Sequence, residues 1–129
     1  MELERFWELH SEIDIALDAF PYNGATTTCV ALWLGVPVVS LAGNLLWSRC
    51  GLSLLSSIRM QELVAHTEEE YLLIACRLAH ERERLSQLRC GMRERMRTSQ
   101  LMDAKRFTRD LEALYRQAWR NWCEQVGHA

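Results

Sequence analysis

The sequence is short of most features that would place a protein quickly. Its five cysteines, Cys29, Cys50, Cys76, Cys90 and Cys123, are odd in number and form no C-x-x-C pair. That argues against a disulfide framework or a structural zinc site, and fits free thiols in a reducing cytosol. The histidines, His10, His66, His80 and His128, contain no i, i+4 metal pair, and no motif sets one beside a cysteine as an activating base. No apolar run reaches the roughly 18 residues of a membrane span. The longest, from Cys29 to Ala42, is broken by Gly35, Pro37 and Ser40. The opening Met1-Glu2-Leu3-Glu4-Arg5 is not a signal peptide. The net charge is only −2, with 15 basic and 17 acidic residues, so no global field draws in nucleic acid or an anionic membrane. Neither G-x-G-x-x-G nor Gly-Lys-Ser/Thr occurs. The expected setting is cytoplasmic, with no membrane, metal or nucleic acid.

What is present is one domain's length of globular chain: 129 residues, 49% hydrophobic and 25% charged. Its halves differ. Residues 1–66 hold Arg5, Arg49 and Arg59 against seven acids, and residues 67–129 hold the other twelve cations and ten acids. The first half reads as a short helix over residues 2–11, a strand from Ile13 to Leu17, a Pro21-Tyr22-Asn23-Gly24 turn, a helix after the Thr26-Thr27-Thr28 run, and a strand through Val38, Val39 and Leu41. Gly35 suits the left-handed position closing that helix. Strand, turn, helix and strand make a βαβ unit with parallel strands. A helix over Ser48–Ser56, with Ser48 as its cap, and a third strand at Leu63-Val64 are expected to follow. In the second half, Thr67-Glu68-Glu69-Glu70 is a capping box. The helix it opens has Tyr71, Ile74, Ala75 and Leu78 on one face. A charged helix from Glu81 to Arg97 repeats Leu85, Leu88, Met92 and Met96. A third, from Asp103, carries Phe107, Leu111, Leu114, Ala118 and Trp122. The arginines between Arg77 and Arg97 are expected to form a solvated, salt-bridged face, and Trp119 and Trp122 to serve as core or docking aromatics. The fold class is α/β: a partial Rossmann-like parallel sheet of two or three strands with flanking helices and a helical C-terminal tail. It is one domain over 1–129, with a βαβ unit over 1–66 and the tail over 67–129.

The Asn23 to Thr28 turn is the candidate site. It leaves a strand's C-terminal end and opens a helix, where open α/β sheets take ligands. Free amides and the helix dipole there suit a phosphate or diphosphate, although the same residues also make an ordinary turn and cap. Gly24 and Ala25 let backbone approach closely, and Thr26 and Thr27 add hydroxyls. Asp14 and Asp18 stand four apart along the strand and too far from each other to share a proton. Asp18, at the strand's end, is expected to face the cleft or brace the turn. Arg49 is expected either to face an anion there or to form a surface ion pair.

The series Ile13-Asp14-Ile15-Ala16-Leu17-Asp18, Phe20-Pro21-Tyr22-Asn23-Gly24, Thr26-Thr27, Ala31-Leu32-Trp33, Gly35, Pro37-Val38-Val39, Gly43 and Ser48-Arg49 resembles the C-terminal part of the O-linked N-acetylglucosamine transferase family, SPINDLY-like. So do Glu68-Glu69-Glu70-Tyr71, Glu83-Arg84-Leu85, Asp103-Ala104, Arg106-Phe107, Asp110-Leu111-Glu112 and Tyr115. The resemblance covers nearly the whole chain. It implies a GT-B type, metal-independent inverting glycosyltransferase whose donor is UDP-N-acetylglucosamine and whose acceptor is a protein serine or threonine. No cofactor is implied. It also implies that Gly24, Ala25, Thr26 and Thr27 meet the UDP diphosphate, with Asp18, Asn23, Val30 and Arg49 as cleft residues and no catalytic residue within this stretch. Val30 stands where the family carries an acid against the uridine ribose, and the missing bond is worth about 1 kcal/mol. Ala25 replaces glycine or histidine, and Leu46-Trp47 replaces a common His-Ala.

The match begins late in the family's C-terminal Rossmann domain. The chain is therefore expected to be a UDP-sugar-binding portion of such an enzyme, not catalytically competent alone, with a protein acceptor only in a longer parent. The alternative is a non-catalytic interaction or oligomerisation module derived from that enzyme. An unpaired sheet edge is expected to favour homo-oligomers.

Overall fold

The computed structural model describes residues 3–126. In chain order it contains α1 (Leu3–Ser11), β1 (Ala16–Leu17), α2 (Thr26–Trp33), β2 (Val38–Leu41), α3 (Cys50–Ser57), β3 (Val64–Ala65), α4 (Glu68–His80), α5 (Arg82–Arg97) and α6 (Ala104–Val126). Short 3-10 turns precede α3, β3 and α6. The strands are parallel in the order β1-β2-β3. Ala16 and Leu17 stand opposite Val38 and Val39, while Val64 and Ala65 stand opposite Ser40 and Leu41. The outer strands thus pair with successive halves of β2. This is the expected α/β architecture with a helical tail.

β2 is the centre because both its faces are covered. Val38 joins Leu32, Leu55, Met60, Leu78 and Met92 in the larger apolar cluster; Val39 meets Ala65 and Tyr71 in a smaller one. The alternation follows from the two-residue strand period. On α4 and α5 the apolar faces read from the sequence are the faces that pack. Tyr71 and Leu78 of α4, and Leu85, Met92 and Met96 of α5, are all buried.

Local chemistry fixes the helix ends. Gly35 has φ +83°. Its N–H donates to the Leu32 carbonyl at 3.1 Å, and that of Val36 donates to Ala31 at 2.8 Å, the paired bonds of a Schellman stop. A Cβ on Gly35 would lie 2.9 Å from the Arg89 carbonyl oxygen, so the glycine also lets α5 approach. α3 ends in the same way through Arg59 and Met60, with Arg59 itself at φ 58°.

Several elements differ from the sequence expectation. β1 is two residues long, not five, and Asp14 precedes it, exposed and paired with Arg89 at 3.6 Å. The strand has only the first half of β2 to pair with. β3 sits one residue later than expected, at Val64–Ala65. Ser48 does not cap α3: its hydroxyl bonds the Leu45 backbone, donating to the carbonyl at 2.9 Å and accepting from the N–H at 3.1 Å. Thr67 caps α4 by accepting from Glu70 N–H at 3.1 Å, but the Glu70 carboxylate reaches one residue further back, to His66 N–H at 2.7 Å.

The α5 arginines do more than line a solvated face. Arg84 and Arg97 do pair with Glu81 and Glu94. Arg89 pairs with Asp14 at 3.6 Å and also donates to the Ile13 carbonyl. Arg93 donates to the Trp33 carbonyl at 3.1 Å and lies 5.5 Å from the centre of the Trp33 ring. Arg95 donates to the Arg59 carbonyl at 3.3 Å. Three arginines of one helix thereby staple three connections of the front half, a role that helical charge periodicity does not reveal.

α6 is exposed along its whole length. Trp119 and Trp122, stacked at 5.2 Å, are not core: they remain 64% and 54% exposed. His66 and His80 are exposed, while His10 is half-buried and has an interaction partner; His128 lies outside the described residues. All five cysteines are free thiols, and partial burial raises the Cys29 pKa.

Met92→Ala, which empties a fully buried site, is expected to cost about 2–4 kcal/mol. Arg59→Gly, which relieves a left-handed residue while keeping the carbonyl that Arg95 uses, is expected to gain about 0.5–1 kcal/mol. Urea denaturation measures both.

Candidate functional site

The C-terminal end of β1 runs into a tightly tied turn. Asp18 is 6% exposed, and both its carboxylate oxygens are used. Oδ1 accepts from the Gly24 N–H at 2.8 Å, and Oδ2 accepts from the Ser40 hydroxyl at 2.7 Å. The Tyr71 hydroxyl donates to the Asp18 carbonyl at 2.9 Å; burial and the Asp18 charge raise that phenol's pKa. Asp18 N–H itself extends the sheet, donating to Val39 at 2.9 Å.

Asn23 is a second internal brace, only 2% exposed. Its side-chain amide donates to the Ala19 carbonyl at 3.0 Å and the Leu41 carbonyl at 3.4 Å, and its Oδ1 accepts from Gly51 N–H at 3.4 Å. Its backbone N–H donates to the Trp47 carbonyl at 3.0 Å. The cis Phe20-Pro21 bond lies in the same turn. Gly51, at the start of α3, is pressed against these groups. A Cβ there would fall 1.9 Å from Ser40 Oγ and 2.7 Å from Asp18 Oδ2.

These ties leave the start of α2 open. Ala25 occupies the cap position, and no side chain caps the helix. The first intrahelical bond is Cys29 N–H to the Ala25 carbonyl at 3.0 Å. Gly24 N–H is consumed by Asp18, but the amides of Ala25, Thr26 and Thr27 have no partner among the described residues. Ala25, Thr26 and Thr27 are exposed, whereas Thr28 is buried. Gly24 is needed sterically, since a Cβ would meet the Thr27 and Thr28 hydroxyls at 2.5 and 2.8 Å. A recess of about 280 Å³ lies alongside, lined by Asp18, Ala19, Gly24, Thr27, Thr28 and His10 among others.

The structure therefore separates the residues singled out from the sequence. Gly24, Ala25, Thr26 and Thr27 gather at the open helix start. Asp18 and Asn23 stand directly behind it, turned into the protein. Val30 is half-buried one turn further along α2. Among the described residues Arg49 forms no ion pair; its Nη1 donates to the Gly43 carbonyl at 2.9 Å, holding the turn after β2. Ser40, Gly51, Tyr71 and His10 were missed. Ser40 carried a signal, a hydroxyl in an otherwise apolar buried strand. Tyr71 and Gly51 carried none, because their partners are 53 and 28 residues away. Among the described residues no three His, Cys, Asp or Glu side chains gather to hold a metal ion, and no helix is long and apolar enough to cross a membrane.

Chemically, such a helix start offers convergent N–H donors and a positive dipole end to an anionic group. Gly51→Ala should test the packing behind it. The added methyl collides with Ser40 and Asp18, so a loss of about 3 kcal/mol is expected in urea denaturation.

Comparison with known proteins bears on the rest. The glycosyl transferase family 41 profile matches residues 10–111. A probable UDP-N-acetylglucosamine–peptide N-acetylglucosaminyltransferase SPINDLY of Solanum lycopersicum is 44% identical over 91% of this chain and 13% of its own length. A UDP-N-acetylglucosamine–peptide N-acetylglucosaminyltransferase of Caenorhabditis elegans is 36% identical over 84% of this chain and 10% of its own. The solved structure of an O-GlcNAc transferase mutant from Thermobaculum terrenum superposes with a TM-score of 0.86 at 40% identity, over 98% of this chain and 24% of that one. The chain thus spans between a tenth and a quarter of the length of these proteins.

Proposed function

Because the chain belongs to glycosyl transferase family 41, we propose that it is the UDP-sugar-binding portion of a protein O-GlcNAc transferase, with UDP-N-acetylglucosamine as donor and a protein serine or threonine as the acceptor of the complete enzyme. The observation that carries this reading is the uncapped start of α2. Three consecutive amides, of Ala25, Thr26 and Thr27, stand without protein partners beside an open recess. A diphosphate would take those hydrogens as acceptor and sit at the positive end of the helix. The Thr26 and Thr27 hydroxyls supply further donors, while Gly24 supplies space, not a hydrogen bond.

The βαβ unit over 1–66 then holds the donor, and the helices after it brace that unit through the α5 arginines. Two features limit affinity: valine at position 30 offers no acceptor to a ribose hydroxyl, and the recess is open on one side. The expected donor affinity is weak, in the millimolar range, equivalent to about 4 kcal/mol. Transfer also requires an acceptor held against the donor, and no described residue here is assigned to that task.

A second reading, an interaction module derived from such an enzyme, draws on the exposed apolar side chains of α6, including Phe107, Leu114, Trp119 and Trp122. Isothermal titration with UDP separates the two. Millimolar binding that weakens at least tenfold in a Thr26→Ala, Thr27→Ala double variant supports the donor reading. No binding, together with concentration-dependent association in sedimentation, supports the module.

A further inference from the structure

We propose that Asp18 is the positioning residue of this anion site: its buried carboxylate sets the direction in which the Ala25, Thr26 and Thr27 amides point. The inference rests on the donor reading for its ligand, but its structural core does not.

Among the described residues Asp18 has no cation partner. Its carboxylate accepts from the Gly24 N–H and the Ser40 hydroxyl, and the start of α3 packs against it at Gly51. The carboxylate thereby links the first residue after β1, Ser40 of β2 and the residue immediately before the α2 cap. Gly24 is the hinge point. Asp18 Oδ1 and the Thr27 and Thr28 hydroxyls all lie within 3.2 Å of the place a Gly24 Cβ would occupy, so the path of the chain through Gly24 decides where the next three amides face. By withdrawing Gly24 N–H, Asp18 also marks the boundary of the site. The first amide free for a ligand is that of Ala25. Tyr71 holds the Asp18 backbone from the opposite side, which leaves the carboxylate little freedom to follow a moving turn.

The experiment compares Asp18→Asn with Asp18→Ala in the 129-residue chain. Asparagine keeps an acceptor for Gly24 N–H and a hydrogen bond to Ser40; alanine keeps neither. UDP titration is expected to give Asp18→Asn a Kd within about threefold of the unaltered chain, and Asp18→Ala a Kd at least about tenfold weaker, the worth of one lost hydrogen bond. In amide NMR spectra, Asp18→Ala should move the Ala25, Thr26 and Thr27 resonances and leave those of α5 in place. A folded Asp18→Ala with unchanged Kd, or equal weakening in both variants, overturns the proposal. Should Asp18→Ala not fold, Ser40→Ala removes only the Oδ2 bond. It should weaken UDP about threefold and shift the same three amides; no change in either overturns the proposal. If the unaltered chain does not bind UDP, the donor reading fails by itself, and the proposal stands or falls on whether those three amides move.

Discussion

The structure turns on one buried carboxylate. Parallel strands leave their C-terminal ends as a row of loops, and a binding loop there must be held by something less yielding than its own sequence. Asp18 does this by accepting one bond from the loop and one from the central strand. Burying a charge without a cation is unfavourable unless hydrogen bonds replace the lost water. Both oxygens are therefore satisfied, and no buried side-chain polar atom among the described residues lacks a partner. Asn23 repeats the device with three bonds to Ala19, Leu41 and Gly51. The turn is rigid because its polar side chains face inward, and this inward facing leaves the α2 amides free.

The same economy governs the helical half. α5, which packs against α2 and α4, is strongly charged, yet it contributes Leu85, Met92 and Met96 to the core. Its arginines satisfy carbonyls at the ends of the connections around it. Exposed ion pairs such as Arg97–Glu94 contribute little. A guanidinium that reaches a backbone carbonyl across some 60 residues of sequence, as Arg93 does to Trp33, constrains the fold more, because it fixes one element against another. Arg93 adds a cation–π contact to the same tryptophan.

α6 shows what the packed unit does not contain. Phe107, Tyr115, Trp119 and Trp122 are all more than half exposed, on a helix whose relative placement is nonetheless shared with the Thermobaculum terrenum enzyme at a TM-score of 0.86 over 98% of the chain. The solved enzyme is about four times longer than the matched region. An apolar helix face in solvent and an open recess beside the start of α2 are both consistent with a unit that is a minor part of its relatives' length.

The sequence determined the local and the periodic. The helix faces of α4 and α5, the Gly35 stop, the parallel βαβ order and the position of the Asn23 to Thr28 turn all depend on neighbours within a few residues or on a repeat of 2 or 3.6, which a linear reading can see. The tertiary structure decided whatever depends on distant partners. β1 shortened to two residues because only half of β2 was available to it. Ser48 gave up the α3 cap to the Leu45 turn. Arg49 and three of the α5 arginines, Arg89, Arg93 and Arg95, went to carbonyls. Trp119 and Trp122 stayed out of the core. Above all, Asp18 and Asn23 turned inward, because Ser40, Gly51 and Tyr71, separated from them in sequence by 22 to 53 residues, meet them only when the strands and helices are assembled. Periodicity tells which side of an element is buried, but the identity of a hydrogen-bond partner is set by three-dimensional proximity, and no spacing rule carries that.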